Sequence, residues 1–266
     1  RRFLSCTAIS AGSAGVLGLA GCSPRRPGAE NAGSDIQFGK SSDGAATLSF
    51  MPKPAPIAED AIKETKTFDV VIIGAGASGV PAALSAAEHG AKVPVLQKES
   101  IIVSQGNSGA GIDLATSDPA GIEALVACLM KENAHRCNPK LLQQWAYNSG
   151  KAVTWVMDRA KQAGAQVIDQ GNLPQSTITT INGYKLNYNT SHFGPKPYTN
   201  GDGMRALGKT AEKAGVRFFF STPGVQLVQD ASGKVTGAIG KGPDDRYIRF
   251  VAQKGVILAT GDYQNN

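Results

Sequence analysis

Residues 68–98 read FDVVIIGAGASGVPAALSAAEHGAKVPVLQK, and their order decides the fold. Val70, Val71, Ile72 and Ile73 form an apolar, β-branched run of the kind buried on both faces of a parallel sheet. Three glycines follow, each with a separate task. Gly74 lets the chain turn off the strand, Gly76 removes a side chain that would keep backbone away from a pyrophosphate, and Gly79 lets the next helix pack against the sheet. Residues 82–89 are alanine-rich and stop at Gly90, as a helix should, and residues 92–96 supply a second strand. Strand, glycines, helix and strand within one unit describe a dinucleotide site whose phosphates rest on a helix N-terminus.

The end of the second strand departs from this pattern. A dinucleotide unit ordinarily carries Asp or Glu there to accept from the adenosine ribose, and this chain has Gln97. An amide oxygen accepts more weakly than a carboxylate. Strand alternation places Glu99 differently, so Gln97 is the expected ribose contact.

The chain has 266 residues, enough to bury a sizeable core. Its formal charge of +6 is concentrated at the start, where Arg1, Arg2, Arg25 and Arg26 precede the first acid. No basic cluster interleaved with aromatics suggests a nucleic-acid partner.

Residues 1–22, RRFLSCTAISAGSAGVLGLAGC, read as a targeting segment: paired arginines, then small, mildly apolar residues too few to span a bilayer. They resemble a twin-arginine export signal, and Leu19-Ala20-Gly21-Cys22 resembles a lipoprotein box that would make Cys22 a lipid-bearing residue. The alternative is a cleaved soluble signal with an incidental cysteine. The lipoprotein reading places the protein in the cell envelope, anchored on the extracytoplasmic side. Residues 23–66, rich in Gly, Ser, Ala and Pro, read as a flexible linker, leaving residues 67–266 as the folded domain.

Cys128 and Cys137 lie outside the signal with no companions at metal-ligand spacing. They read as ordinary thiols, with a disulfide between them open to an exported protein. No metal is expected.

Residues 101–113, IIVSQGNSGAGID, are dense in small residues and read as a loop, Gln105 to Gly111, able to wrap a phosphate or a flavin edge; a plain flexible loop fits equally well. Asp118-Pro119 and Asn138-Pro139 start two helices. The second carries an apolar stripe with Trp145 and ends at Gly164; Trp145 and Trp155 are expected to pack in the core. His135 reads as a solvated linker residue.

Residues 171–203 read as a long irregular loop, with His192 either a proton donor in a cleft or a solvated surface group. A helix is expected over residues 202–214. Strands follow over residues 216–221, 225–228, 235–239 and 247–251, the first parallel and the rest an antiparallel meander, and residues 256–259 form a final buried strand.

Three stretches together carry a family resemblance: the glycine unit, QGNSGAGI near residue 105 and GVILATGDY near residue 255. They resemble the FAD-dependent fumarate reductase and 3-oxosteroid dehydrogenase superfamily, which includes the succinate dehydrogenase flavoprotein subunit. The resemblance implies an α/β, Rossmann-like FAD-binding domain: a parallel sheet with helices and a β-meander. It also implies a pyrophosphate held by Gly74, Gly76, Ala77, Ser78 and Gly79, and an adenosine ribose near Gln97 and Lys98. The flavin side would meet Gly106, Asn107 and Ser108, the adenine would meet Gly224 and Val225, and Ala259, Thr260 and Gly261 would line the far side. Gln97 replaces the usual Glu, the loop after Ser108 is short, and Asp262 stands where a second glycine often follows. In the family the substrate cap follows this last strand and brings the catalytic arginines and histidines, so cap and catalytic residues are expected beyond Asn266.

The resemblance implies an exported FAD-dependent oxidoreductase acting on CH–CH bonds: first a fumarate-reductase-like reduction of an α,β-unsaturated acid, second a 3-oxosteroid 1-dehydrogenase-like reaction. Its partners would be a small-molecule substrate and an electron-transfer protein. A dinucleotide-binding lipoprotein without turnover, or an NAD-dependent enzyme, is the alternative class.

Overall fold

The computed structural model describes residues 39–40, 46–47, 54–106, 108–169, 178–195 and 198–261. The contacts divide the chain into two units, one of which takes in residues 58–261. In the smaller unit, strands β1 (Gly39–Lys40) and β2 (Ala46–Thr47) pair antiparallel.

The larger unit begins with a 3-10 turn, Glu59–Ala61, which leads into β3 (Ile62–Ile73). The strand starts inside the stretch read as linker, because residues 62–66 pair with the first part of β12, Tyr247–Leu258. Helix α1 (Gly79–Glu88) and strand β4 (Pro94–Leu96) complete the glycine unit. The helix begins three residues before its alanine-rich run, since Pro81 falls in the first turn, where no N–H is needed. Gly90, at φ +80°, closes it.

Between β4 and strand β9 (Arg217–Phe219) the chain builds a small second sheet and three helices. Strand β5 (Ser108–Ile112) occupies most of the expected loop. It is a strand because β8 (Tyr184–Phe193) gives it an antiparallel partner, with Ser108 opposite His192 and Ile112 opposite Tyr188. Strand β6 (Val167–Asp169) pairs with β8 over residues 191–193, and β7 (Ile178–Ile181) pairs with it from Asn187 to Tyr184. Much of the stretch read as irregular is therefore a hairpin. Its turn is Asn182-Gly183, both at positive φ (51° and 84°), between alternating segments.

Helices α2 (Pro119–Glu132) and α3 (Pro139–Gln162) start where expected. Asn138 caps α3 by accepting from Lys140 N at 3.0 Å. Asp118 instead uses its carboxylate to hold Lys185 N at 2.7 Å, fastening α2 to β8. Trp155 packs against the main core, but Trp145 is 39 % exposed, because the buried face of α3 runs through Ala146, Gly150, Met157 and Ala160. His135 is exposed at φ 58°, just after α2. Cys137 is a free thiol 3.4 Å from Met130 Sδ, so the disulfide with Cys128 is not formed.

Helix α4 (Asn200–Lys213), capped by Thr199, precedes β9. Strands β10 (Gly224–Gln229) and β11 (Val235–Lys241) then lead into β12. The main sheet runs β10-β11-β12-β3-β4-β9, with β12, β3, β4 and β9 mutually parallel and β10 and β11 antiparallel. The last two expected strands are one, continuous through an irregularity between Ala252 and Gly255. Its end is not buried throughout: Ile257 is 39 % and Leu258 60 % exposed.

Two cores lie on the main sheet. Ile72, Val80, Leu84, Val95, Met204 and Leu207 join β3 and β4 to α1 and α4. Phe68, Val71, Leu96, Ala238 and Phe250 form the other, where Phe250 stacks on Phe68 (6.3 Å) and meets Phe219 edge-on (4.9 Å). A third core, Ile112, Ile122, Leu125 and Leu186, holds the second sheet to α2 and α3.

Candidate cofactor site

The parallel strands end together, and the loops leaving them form one crevice edge, where ligands of open α/β sheets bind. Gly74 N donates to Leu96 O at 2.7 Å and Ala259 N to Ile73 O at 2.8 Å, which brings the ends of β3, β4 and β12 to one level. Gly74 has φ +104°, and a Cβ there would lie 2.7 Å from the carbonyl carbon of Ala259. A Cβ on Gly79 would lie 3.0 Å from the carbonyl carbon of Gly74 and 3.2 Å from Ala259 Cβ. Both glycines are thus demanded by the packing of turn, helix and neighbouring strand.

Gly76 differs. A Cβ there would meet only Val103 O, at an ordinary 3.6 Å, and its φ is not in the left-handed region. Nothing within the described chain requires a glycine at that place. The missing side chain leaves room for an outside group to reach the backbone. The first backbone bond of the turn is Val80 N to Gly76 O at 3.1 Å, and Ser78 makes no side-chain cap. Among the described residues the N–H groups at residues 77–79 have no hydrogen-bond acceptor, and the helix dipole behind them suits an anion.

Gln97 is 6 % exposed. Its Oε1 accepts from Ala75 N at 3.3 Å and its Nε2 donates to Ile101 O at 3.1 Å. Its backbone N donates to Phe219 O at 2.9 Å, and its carbonyl accepts from Thr222 N at 2.8 Å. Lys98 next to it is exposed, with Glu99 3.9 Å away.

The loop at residues 105 and 106, expected on the flavin side, is held from α4. Asn200 N donates to Gly106 O at 2.9 Å and its Nδ2 to Gln105 O at 3.1 Å. Gly106 has φ +82°. Asn107 lies outside the described residues, and Ser108 opens β5. The helix expected from Asp202 begins two residues earlier and so takes in Asn200; the signal for that start is Thr199, a side-chain cap accepting from Gly201 N at 3.1 Å. His192 stacks on Tyr198 at 4.6 Å.

On the remaining side, Gly224 opens β10 where a Cβ would come 2.8 Å from Ile73 Cγ2, and Val225 is 44 % exposed. Ala259 is buried, and Thr260 and Gly261 are exposed, the glycine at φ +81°. The structure therefore brings Gly74, Gly76, Ala77, Ser78, Gly79, Gln97 and Ala259 to one place, with the 101–106 loop reaching it through Val103.

A dinucleotide fits this set: helix N–H groups and the open backbone at Gly76 suit a pyrophosphate. The set consists of backbone, glycine and one amide, groups suited to binding and orienting a ligand. Among the described residues, no group of three or more His, Cys, Asp or Glu could hold a metal ion, and no helix is long and apolar enough to cross a membrane.

The FAD binding domain family model matches residues 69–266. Vinyl phenol reductase of Lactiplantibacillus plantarum is 27% identical over 209 residues, covering 75% of this chain and 39% of that protein. Fumarate reductase (cytochrome) of Shewanella frigidimarina is 29% identical over 213 residues, covering 75% of this chain and 34% of that protein. The chain thus spans well under half the length of these curated relatives. Among solved structures, a 3-ketosteroid-Δ4-(5α)-dehydrogenase of Rhodococcus jostii RHA1 shares the fold at TM-score 0.55 and 22% identity, covering 78% of this chain and 49% of that one.

Proposed function

The chain belongs to the FAD binding domain family, and from that premise we propose that it is the cofactor cradle of an oxidoreductase that reduces a carbon–carbon double bond conjugated to a carboxylate or carbonyl. The observation that carries the cofactor part is Gly76, a glycine that packing among the described residues does not require, at the mouth of a helix whose first N–H groups have no acceptor among those residues. Residues 74–79 would hold the pyrophosphate, and the 105–108 loop, fastened by Asn200, would face the flavin side. Bound flavin supplies hydride transfer; the chain's residues fix its position and shield it. The names of the two curated relatives, both reductases, support reduction as the direction. A 3-oxosteroid 1-dehydrogenase-like reaction ranks second, resting on likeness of fold to 3-ketosteroid dehydrogenases alone.

The test begins with colour. The purified chain should be yellow and release FAD when denatured; a colourless protein that binds NAD instead would remove this reading. The protein carrying this chain should then oxidise a reduced dye when given fumarate or another α,β-unsaturated acid, and a preference for a 3-oxosteroid would favour the second reading.

Residues 1–22 support a further part of the proposal: export by a twin-arginine route with lipid attached at Cys22, on the extracytoplasmic side, where an electron-transfer partner could reach the protein. Arg1→Lys with Arg2→Lys should retain the protein in the cytoplasm, and Cys22→Ala should abolish labelling by a fatty acid. Unchanged fractionation and labelling would refute both.

A further inference from the structure

We propose that Gln97 is a positioning residue whose amide ties the glycine turn to the 98–103 loop, and that its side chain is not the group that reads the adenosine ribose. The inference rests on the FAD-binding reading and goes beyond it. Each polar group of Gln97 has a partner inside the protein: N with Phe219 O, O with Thr222 N, Oε1 with Ala75 N and Nε2 with Ile101 O; Oε1 keeps a second lone pair and Nε2 a second N–H, so the assignment rests on the donor that Ile101 O requires. The residue thus joins the three segments bordering the nucleotide crevice: the turn after β3, the segment after β9, and the loop that carries Ile102 into the core beside Gly208.

The partners fix the chemistry. One is an N–H and the other a carbonyl, so the side chain must accept at one end and donate at the other. An amide in this orientation does both, and an ionised carboxylate, which only accepts, does not. A carboxylate would keep the bond from Ala75 N but set a negative oxygen against Ile101 O, about 3 Å away, in a place with 6 % exposure. This explains why the residue ordinarily found here, an acid that accepts from ribose hydroxyls, is replaced by its amide. The loop geometry of this chain needs a donor at that point.

The two roles predict opposite signs for one substitution. Were Gln97 a weak ribose acceptor, Gln97→Glu would strengthen binding through a charge-assisted bond. As a positioning amide, Gln97→Glu should bind FAD more weakly than Gln97→Ala, with both weaker than the wild-type chain, the acid by at least about tenfold. Affinity is read by titrating flavin-stripped protein with FAD, and the melting temperature of the stripped protein should fall in the same order. The second measurement uses an FAD analogue with 2′-deoxyadenosine. Removing the ribose hydroxyl should cost the same, within about twofold, in the wild-type chain and in Gln97→Ala, because uncoupled groups add. Tighter FAD binding by Gln97→Glu, or a hydroxyl penalty that vanishes in Gln97→Ala, overturns the proposal. If the acidic variant does not fold, the hydroxyl comparison decides alone. A wild-type chain that takes no FAD would instead refute the cofactor reading itself.

Discussion

The peptide of Gly74 fills the space that a side chain on Gly79 would need: a Cβ at Gly79 would lie 3.0 Å from the Gly74 carbonyl carbon. Strand β3 and helix α1 therefore approach as closely as backbones allow, and the third glycine of the turn serves the fold before it serves any ligand. Gly79→Ala should destabilise the ligand-free protein by about 1–3 kcal/mol, the usual range for forced overpacking. Gly76→Ala should change its stability by less than about 0.5 kcal/mol, yet weaken FAD binding about tenfold or more. Chemical denaturation and FAD titration of the two variants check the separation. Equal stability losses would show that Gly76 is also a packing residue.

Asn200 couples the first turn of α4 to the loop at Gln105 and Gly106 through its side chain and its backbone. Asn200→Ala keeps the bond to Gly106 O and loses the one to Gln105 O. The expected cost is about 1 kcal/mol of stability, with bound flavin more exposed to solvent. Faster quenching of flavin fluorescence by iodide would register that exposure.

Phe250 has no solvent exposure and touches both Phe68 and Phe219. It joins the end of the meander to the parallel sheet, so truncation opens a cavity beneath β3. Phe250→Ala should cost about 3–5 kcal/mol, whereas Phe250→Leu should recover more than half of that. Urea unfolding of the two variants distinguishes cavity formation from loss of an aromatic contact.

Asp69 accepts from Lys92 N at 2.8 Å and lies 3.6 Å from the Lys254 ammonium; the backbone bond first, and the lysine charge second, hold its carboxyl below the ordinary aspartate range. A carboxylate whose folded pKa is depressed contributes stability above its unfolded value and loses it as pH falls through the folded one. Asp69→Asn should therefore lower the melting temperature at neutral pH and flatten its decline below about pH 4. A parallel decline in both proteins would mean that Asp69 does not contribute to acid sensitivity.

Much of this site was legible because its signals are local. Val70 to Ile73, three spaced glycines and Gly90 lie within one short stretch, and each acts on its immediate neighbours through strand composition, turn geometry and helix ending. Asp118-Pro119 and Asn138-Pro139 announced their helices for the same reason. The hairpin of β7 and β8 was also written locally, in Asn182-Gly183, but the aromatic and polar residues around it hid the alternation.

What the chain order alone determined is the strand, turn and helix of a dinucleotide unit; FAD as its cofactor came from the family resemblance that three stretches carry together. What only the tertiary structure decided depends on partners far away in sequence. Ser108 begins a strand because His192 lies opposite, and the two expected final strands are one because β3 offers a continuous edge. Trp145 is exposed because the backbone of β5 already covers the small-residue face of α3 at Gly150. Gln97, read from its position as a ribose acceptor, has its amide hydrogen-bonded to Ala75 N and Ile101 O. Periodicity and turn chemistry are properties of neighbouring residues, whereas pairing and hydrogen-bond satisfaction exist only once the distant segments have met.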